Sequence, residues 1–247
     1  MSVWQWFTDP ANWSGPNGIP TRTVQHILIS AAAMIIALVV AIPIGLVLGH
    51  KRKGTTLASN IGNVGRAVPT LGVLIIFASI SAIGVGDLAA ILALALFAIP
   101  PLLTNTFTGI ANVDDQVRDA AVGMGMSGFT VLRKVELPLA VPLLAAGVRT
   151  ASVQVVATAS LAAVVGSGGL GRYVVDGFAQ QDSTLIIAGA ILTALISLIS
   201  EGAMALIQRG VTPRGLRPVS TSDDSAMDAP ATSPDAPAVA PMPGART

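Results

Sequence analysis

Residues 23–50 read TVQHILISAAAMIIALVVAIPIGLVLGH, and no Asp, Glu, Lys or Arg interrupts them. A helix rises about 1.5 Å per residue and the apolar core of a bilayer is about 30 Å thick, so about 20 apolar residues cross it. This stretch is therefore predicted to be a membrane-spanning helix. Four further stretches lack charged residues, namely 67–86, 88–113, 150–171 and 183–200.

The composition of the whole chain agrees with a membrane protein. Of its 247 residues, 52% are apolar and 11% are charged, whereas a soluble domain carries about 25% charged residues. The composition excludes an ordinary soluble enzyme, a nucleic-acid-binding protein and a disordered chain. The chain has no cysteine and two histidines, so disulfides and a multi-histidine metal centre are not expected.

The pattern predicts an all-α polytopic bundle of about five transmembrane helices within residues 23–210. The predicted spans are 24–49, 67–83, 88–110, 139–165 and 184–207. Most basic residues of the connections follow the first, third and fifth spans: Lys51, Arg52, Lys53, Arg118, Arg133, Lys134, Arg209, Arg214 and Arg217. Because basic connections stay cytoplasmic, we expect the N-terminus outside the cell and the C-terminus inside.

The two ends of the chain differ from the spans. Residues 1–22 contain all three tryptophans, which favour the headgroup layer, so this segment is predicted to lie extracytoplasmically at the membrane surface. Residues 218–247 are rich in Pro, Ala, Ser and Asp, and we expect them to form a disordered cytoplasmic tail.

A glycine-rich stretch, residues 166–171, matches the dinucleotide-binding pattern G-x-G-x-x-G. That pattern needs a strand–turn–helix setting, whereas these glycines end a predicted span. We therefore expect a tight turn and no nucleotide site. Ser167 within it suggests a serine hydrolase with His26 as base, but no orienting acid is evident, so this alternative is disfavoured.

The connection over residues 112–138 is predicted to be a helix–turn–helix outside the membrane. Residues 114–124 form its first helix, Gly125 lies in the break, and residues 129–136 form the second helix before Pro138 opens the fourth span. Apolar residues flanked by charges suit docking into a partner. The alternative is a connector that rests on its own bundle.

The spacing of this connection resembles the signature loop of ABC importer permeases, Glu-Ala-Ala-x3-Gly-x9-Ile-x-Leu-Pro. Its matching residues are Asp119, Ala120, Ala121, Gly125, Val135, Leu137 and Pro138. Asp119 replaces the glutamate and Val135 the isoleucine. The resemblance implies the type I ABC importer fold, with this loop as a coupling helix that docks on a separate cytoplasmic ATPase. ATP and Mg would bind to that ATPase, and this chain would bind no cofactor or metal and catalyse no reaction.

Shorter stretches resemble the osmoprotectant branch of these permeases. They are residues 12–16, 68–71, 105–106, 146–150 and 166–171. The resemblance implies import of glycine betaine, choline, carnitine or proline betaine across the bacterial inner membrane. It also implies a second permease, identical or paralogous, and an extracytoplasmic substrate-binding protein. Two alternatives are a permease for another small solute, such as an amino acid, and a non-transporting membrane scaffold.

Polar residues within the spans are candidates for the pathway or gate: Pro69, Thr70, Asn105, Thr106, Arg149, Gln154, Thr158 and Glu201. Charges inside a membrane usually face the bundle interior, so Arg149 and Glu201 are predicted to line the pathway, with pairing as one hypothesis. They could instead extend toward the cytoplasmic interface. The uncharged residues could equally form interhelical hydrogen bonds, and Gly45-x3-Gly49 is predicted to allow close helix packing.

Overall fold

The computed structural model describes residues 2–52, 62 and 68–213, and the regular structure of these residues is helical. In chain order the helices are α1 (Val3–Thr8), α2 (Ile19–His50), α3 (Thr70–Ser79), α4 (Asp87–Ala111), α5 (Asp115–Gly123), α6 (Gly128–Val131), α7 (Leu137–Thr158), α8 (Gly171–Gln180) and α9 (Ser183–Val211). Leu132–Glu136 forms a π-helical turn, which is wider than an α-helix. Pro10–Trp13 and Ala159–Val165 form 3-10 helices, which are tighter. The predicted tail, residues 218–247, lies outside the described residues.

Four helical segments in the described part of the chain are long and apolar enough to cross a membrane. They are Ile19–His50, Asp87–Ala111, Gly128–Val165 and Ser183–Val211. They confirm the first, third, fourth and fifth predicted spans as helices. The helical segment of the fourth span begins at Gly128, well before the predicted start at residue 139, and the other ends lie within about five residues of those predicted. The third of the four segments joins α6, α7 and the tighter turn after α7 into one continuous run.

Helix α2 packs closely along α4 through two glycines. A Cβ on Gly45 would come within 2.7 Å of Thr106, and one on Gly49 within 2.8 Å of Ile110. Both contacts advance by four residues in the same direction, so the two helices run parallel. The close packing predicted for Gly45-x3-Gly49 is confirmed.

The second predicted span, residues 67–83, is not a single membrane-length helix. Its described part contains the ten-residue α3, whereas about 20 residues are needed to cross. Helix α3 begins at Thr70 because Pro69 lacks an N–H and disfavours helical structure before it. It ends at a turn in which the Gly84 N–H donates to the Ile80 carbonyl at 2.9 Å, with Gly84 at a φ of +72°.

The connection that follows α2 in sequence and precedes α4 leads from one end of the bundle to the other. Because these helices are parallel, the connection starts at the His50 end and finishes at the opposite end. There the Gly86 N–H donates to the Val165 carbonyl at 2.8 Å. Helix α3 lies on this connection, and its Leu74 is fully buried in the main apolar core. The described residues thus contain four membrane-length helices and the shorter α3, where five spans are predicted.

A second, smaller apolar cluster holds the N-terminal segment against the bundle. Trp6 packs edge-to-face on Tyr173 of α8, with ring centroids 5.4 Å apart. The Tyr173 hydroxyl donates to the Asn17 carbonyl at 2.6 Å. Trp4 and Trp13 are exposed, and location of this segment at the membrane surface stays a prediction.

Candidate functional site

The loop between α4 and α7 begins with α5, whose two ends are closed by local hydrogen bonds. The Asp114 carboxylate caps its N-terminus by accepting a backbone N–H of the first turn at 2.7 Å. At its C-terminus Gly125 has a φ of +84°, a left-handed conformation that favours glycine. Its N–H donates to Val122 at 2.8 Å, and the Met126 N–H donates to Ala121 at 3.2 Å. These bonds form a Schellman motif, which reverses the chain at the predicted glycine.

The surface of this loop is partly apolar. Asp119 and Ala120 are exposed and Ala121 is buried. These three residues of the motif therefore lie partly on the exposed side and partly on the buried side of α5. The large apolar side chains left exposed on the loop are Val117, Val122, Met124 and Phe129. Met124 and Phe129 are each 72% exposed. A concentrated exposed apolar surface is typical of a docking site for another protein.

The second half of the loop is continuous with the membrane helix that follows. Pro138 lies in the first turn of α7, where the fourth span is predicted to open. Helical structure nevertheless runs from Gly128 through the half-buried Leu137 and the exposed Pro138, so no break separates the second half of the loop from the span. The Leu137 N–H donates to the Leu132 carbonyl, five residues back. This wide turn immediately precedes the proline, whose missing N–H interrupts regular helical bonding.

A buried carboxylate occupies the wide turn. The side chain of Glu136 is fully buried, and His50, the last residue of α2, places Nδ1 2.7 Å from its Oε2. Arg118 of α5 places Nε 2.8 Å from Oε1, an ion pair without hydrogen-bond alignment. Arg118 also donates to the His50 carbonyl at 3.0 Å. Close by, Arg52 pairs with the Asp115 carboxylate. These ion pairs were not predicted, and they join the loop to the end of the first membrane helix.

A cavity of about 460 Å³ opens between α7 and α9. Its lining residues are Ala146, Arg149, Thr150, Val153, Gln154, Ala157, Glu201 and Gln208. The Arg149 Nε donates to Glu201 at 2.8 Å, and its Nη1 donates to the Gln208 side chain at 3.1 Å. The hypothesised contact between Arg149 and Glu201 is therefore present, and it spans the two helices at the cavity.

Of the uncharged pathway candidates, Gln154 is the one that lines this cavity. The Thr158 hydroxyl donates to the Gln154 carbonyl at 2.7 Å, and the Asn105 side chain donates to the Pro101 carbonyl at 2.8 Å, each within its own helix. Thr106 is buried in the contact between α2 and α4. Of all the predicted pathway residues, Arg149, Gln154 and Glu201 are the ones that line this cavity.

The glycine-rich stretch 166–171 forms a loop at the opposite end of the bundle from Glu136. The Ser167 hydroxyl donates to the Asp87 carboxylate at 2.7 Å, and the Gly169 N–H donates to the Gln25 side chain at 3.2 Å. Gly169 has a φ of +91°. The predicted tight turn is confirmed, and it fastens the loop to the first residue of α4 and to the N-terminal part of α2.

His26 does not act on Ser167. Its Nδ1 accepts the Leu170 N–H at 3.4 Å, and its Nε2 lies 2.9 Å from the Val156 carbonyl, so Nε2 carries the proton. The Ser167 hydroxyl is bonded to Asp87 and both ring nitrogens of His26 have other partners, so the serine–histidine pair of the hydrolase alternative is not formed.

The chain is similar in sequence to known proteins. The sequence profile described as binding-protein-dependent transport system inner membrane component matches residues 41–213. The glycine betaine/carnitine/choline transport system permease protein of Bacillus subtilis is 36% identical over 196 residues, which are 79% of this chain and 89% of that protein. The osmoprotectant import permease protein of Salmonella typhimurium is 32% identical over 202 residues, 81% of this chain and 94% of that protein.

A solved structure shows the same fold. The chain of a methionine ABC transporter in an inward-facing conformation superimposes with a TM-score of 0.70 and 23% identity, covering 83% of this chain and 100% of that one. The family profile covers the described residues from the C-terminal part of α2 to the end of α9, including the whole loop before α7. This chain therefore belongs to the family of binding-protein-dependent transport system inner membrane components.

Proposed function

We propose that the chain is the permease subunit of an ATP-driven importer for quaternary-amine osmoprotectants: glycine betaine, carnitine, choline and proline betaine. The observation that carries this proposal is the similarity, at 32% to 36% identity, to permeases named for osmoprotectants, or for glycine betaine, carnitine and choline. In this function the chain provides a passage and makes or breaks no covalent bond.

The proposed partners are a cytoplasmic ATPase, a second permease chain and a substrate-binding protein. A cytoplasmic ATPase, which holds ATP and Mg, docks on the exposed apolar surface around Met124 and Phe129. Two permease chains, identical or paralogous, enclose the pathway, and each carries one such loop. Closure of the ATPase dimer draws the two loops together and switches access across the membrane. A substrate-binding protein delivers the solute on the outer side.

The cavity between α7 and α9 is the part of the pathway that this chain supplies. Arg149, Glu201 and the amide groups of Gln154 and Gln208 make it polar within otherwise apolar helices. Intramembrane ionisable residues usually mark a solute path. A betaine carries one positive and one negative charge, so a wall with paired charges of both signs is compatible with its passage.

The proposed orientation predicts opposite labelling of two single cysteines. The chain has no cysteine of its own, and Ser127 in the loop and Ser183 at the start of α9 are both exposed. With a membrane-impermeant thiol reagent, we expect Ser127→Cys to react only from the cytoplasmic side and Ser183→Cys only from outside. Reaction of both from one side would contradict the five-pass arrangement.

Uptake measurements test the function and the loop together. The chain is co-expressed with its cognate ATPase and binding protein in cells without other osmoprotectant carriers, and labelled glycine betaine is followed before and after raised osmolarity. We expect Gly125→Ala to lower uptake about 5- to 30-fold, because a left-handed residue with a Cβ costs about 1–2 kcal/mol. Gly125→Asp, which also adds a charge, tests the same turn.

A matched control separates backbone conformation from size. A Cβ on Gly123 would also meet no atom within 4 Å, but the φ of Gly123 is not positive. Gly123→Ala therefore leaves uptake unchanged or slightly raised. Equal uptake by the two alanine variants would refute the role of the turn. An assembled wild-type complex that takes up no betaine would instead remove the substrate assignment, and a panel of labelled amino acids would follow.

A further inference from the structure

We propose that Glu136 is a positioning residue that ties the coupling loop to α2, so that movement of the loop reaches the outer end of the bundle through the first membrane helix. This inference rests on the proposed function, because it assumes an ATPase that moves the loop. It adds a connection that the loop motif does not specify, since Glu136 occupies a variable position of that motif and His50 lies outside it.

Three separate elements meet at the Glu136 carboxylate. Oε2 faces His50 at the end of α2, and Oε1 faces Arg118 of α5, at 2.7 and 2.8 Å respectively. The wide turn that carries Glu136 leads directly into α7. Packing reinforces these contacts, because a Cβ on Gly128 of α6 would lie 3.3 Å from His50 Nε2. The end of α2 is thus enclosed by both halves of the loop.

The physical character of this junction makes it a rigid one. A carboxylate without exposed surface requires opposite charges or hydrogen-bond donors at short range, and separation from them is unfavourable. An apolar contact could slide by a few ångströms with little penalty, whereas a buried ion pair is held in one geometry. When the loop moves, the lowest-energy response is for α2 to move with it.

Helix α2 leads from this junction to the other end of the bundle. Its outer part holds the glycine-rich loop through Gln25, which accepts the Gly169 N–H at 3.2 Å, and through His26, which accepts the Leu170 N–H at 3.4 Å. Coupling between distant sites is carried by rigid elements fastened at both ends. Helix α2 is one continuous helix over Ile19–His50, although Pro43 within it removes one helical hydrogen bond. It carries ion pairs at one end and hydrogen bonds at the other.

The test measures movement at the outer end of α2 while the ATPase works. Val24, which is 54% exposed, is changed to cysteine and labelled with an environment-sensitive fluorophore in the assembled complex. We expect ATP to change the fluorescence in the otherwise unaltered chain. With Glu136→Gln, which keeps the side-chain shape but removes the charge, this change falls at least about fivefold, while ATP hydrolysis is retained.

A second variant isolates the contact with α2. His50→Leu removes the contact between the imidazole and Glu136. It leaves Glu136 paired with Arg118, and it leaves the bond from Arg118 to the backbone carbonyl at position 50. We expect the same loss of the fluorescence change. Asp176→Asn is the control, because Asp176 pairs with Arg172 on α8, away from the loop, and both side chains are about one-third exposed. This variant retains the full response.

The outcomes separate the inference from the proposed function. An undiminished response in Glu136→Gln or His50→Leu overturns the link, as does the absence of any ATP response in the unaltered chain. Parallel loss of ATP hydrolysis and fluorescence change in assembled complexes also overturns it, because Glu136 would then only support folding. Failure of betaine uptake with an intact ATP response counts against the substrate and leaves the link supported.

Discussion

We expect Gly171→Ala to lower markedly both the yield and the thermal midpoint of the folded chain. A Cβ on Gly171 would lie 1.9 Å from the Ser160 carbonyl oxygen and 2.6 Å from the Ser160 Cα. These are backbone atoms, so no side-chain rotation relieves the overlap. Overpacking of this kind costs about 1–3 kcal/mol and occasionally more, a large part of the about 5–15 kcal/mol that stabilises a typical protein.

The yield of monodisperse protein after detergent extraction and its thermal midpoint measure this effect. Gly202→Ala in α9 is the matched control, since a Cβ there has no neighbour within 4 Å. Alanine is also the better helix former, so this variant keeps or raises the midpoint. Gly171→Ala protein with an unchanged midpoint would mean that α8 does not approach Ser160 this closely.

The long membrane helices could be predicted because their signal is local. Each span is a mainly apolar run, with Arg149 the one charge in the fourth and Glu201 the one charge in the fifth. Burial of such a run in lipid needs no knowledge of neighbouring helices. The second span could not be predicted in this way. Its run of apolar residues is continuous, but Pro69 delays the start of α3, and the turn at Gly84 follows its end. Hydropathy does not register either effect.

In the loop, too, the residue marked by its local sequence could be predicted, and the residue whose role depends on distant partners could not. Gly125 could be found from spacing, and its positive φ explains why glycine is needed there. Glu136 could not be found, because an acidic residue before Leu-Pro indicates nothing until its partners are known. One of them, His50, lies 86 residues away in sequence, where the sequence marks it only as the end of an apolar run. Ion pairs between distant elements leave no periodic pattern.

The roles of the polar residues within the spans could be predicted only in part from the sequence. Thr158 and Asn105 could equally have faced a pathway or another helix, and both instead donate to carbonyls of their own helices. Arg149 and Glu201 could be paired on physical grounds, because isolated charges are unfavourable inside a membrane. Gln208, the third member of that cluster, lacks a charge and was not predicted.

Exchange of the charges of Arg149 and Glu201 should restore transport that each single change removes. Either Arg149→Glu or Glu201→Arg places two like charges together between α7 and α9, and we expect each to lower betaine uptake about tenfold or more. The double variant recreates an opposite pair across the same cavity. It should therefore recover most of the lost uptake, and a double variant no better than the singles would contradict the pairing.

A nearly identical pair elsewhere in the chain shows whether location matters. Arg172 and Asp176 on α8 are 37% and 34% exposed, against 38% and 35% for Arg149 and Glu201. They lie one turn apart on a single helix, and ion pairs of that kind contribute little. Charge reversal at Arg172 or Asp176 should therefore leave uptake nearly unchanged. Because exposure is matched, a difference between the two pairs reflects the location of Arg149 and Glu201, which join α7 to α9 at the cavity. Sensitivity to charge at that location is the property expected of residues on the solute path.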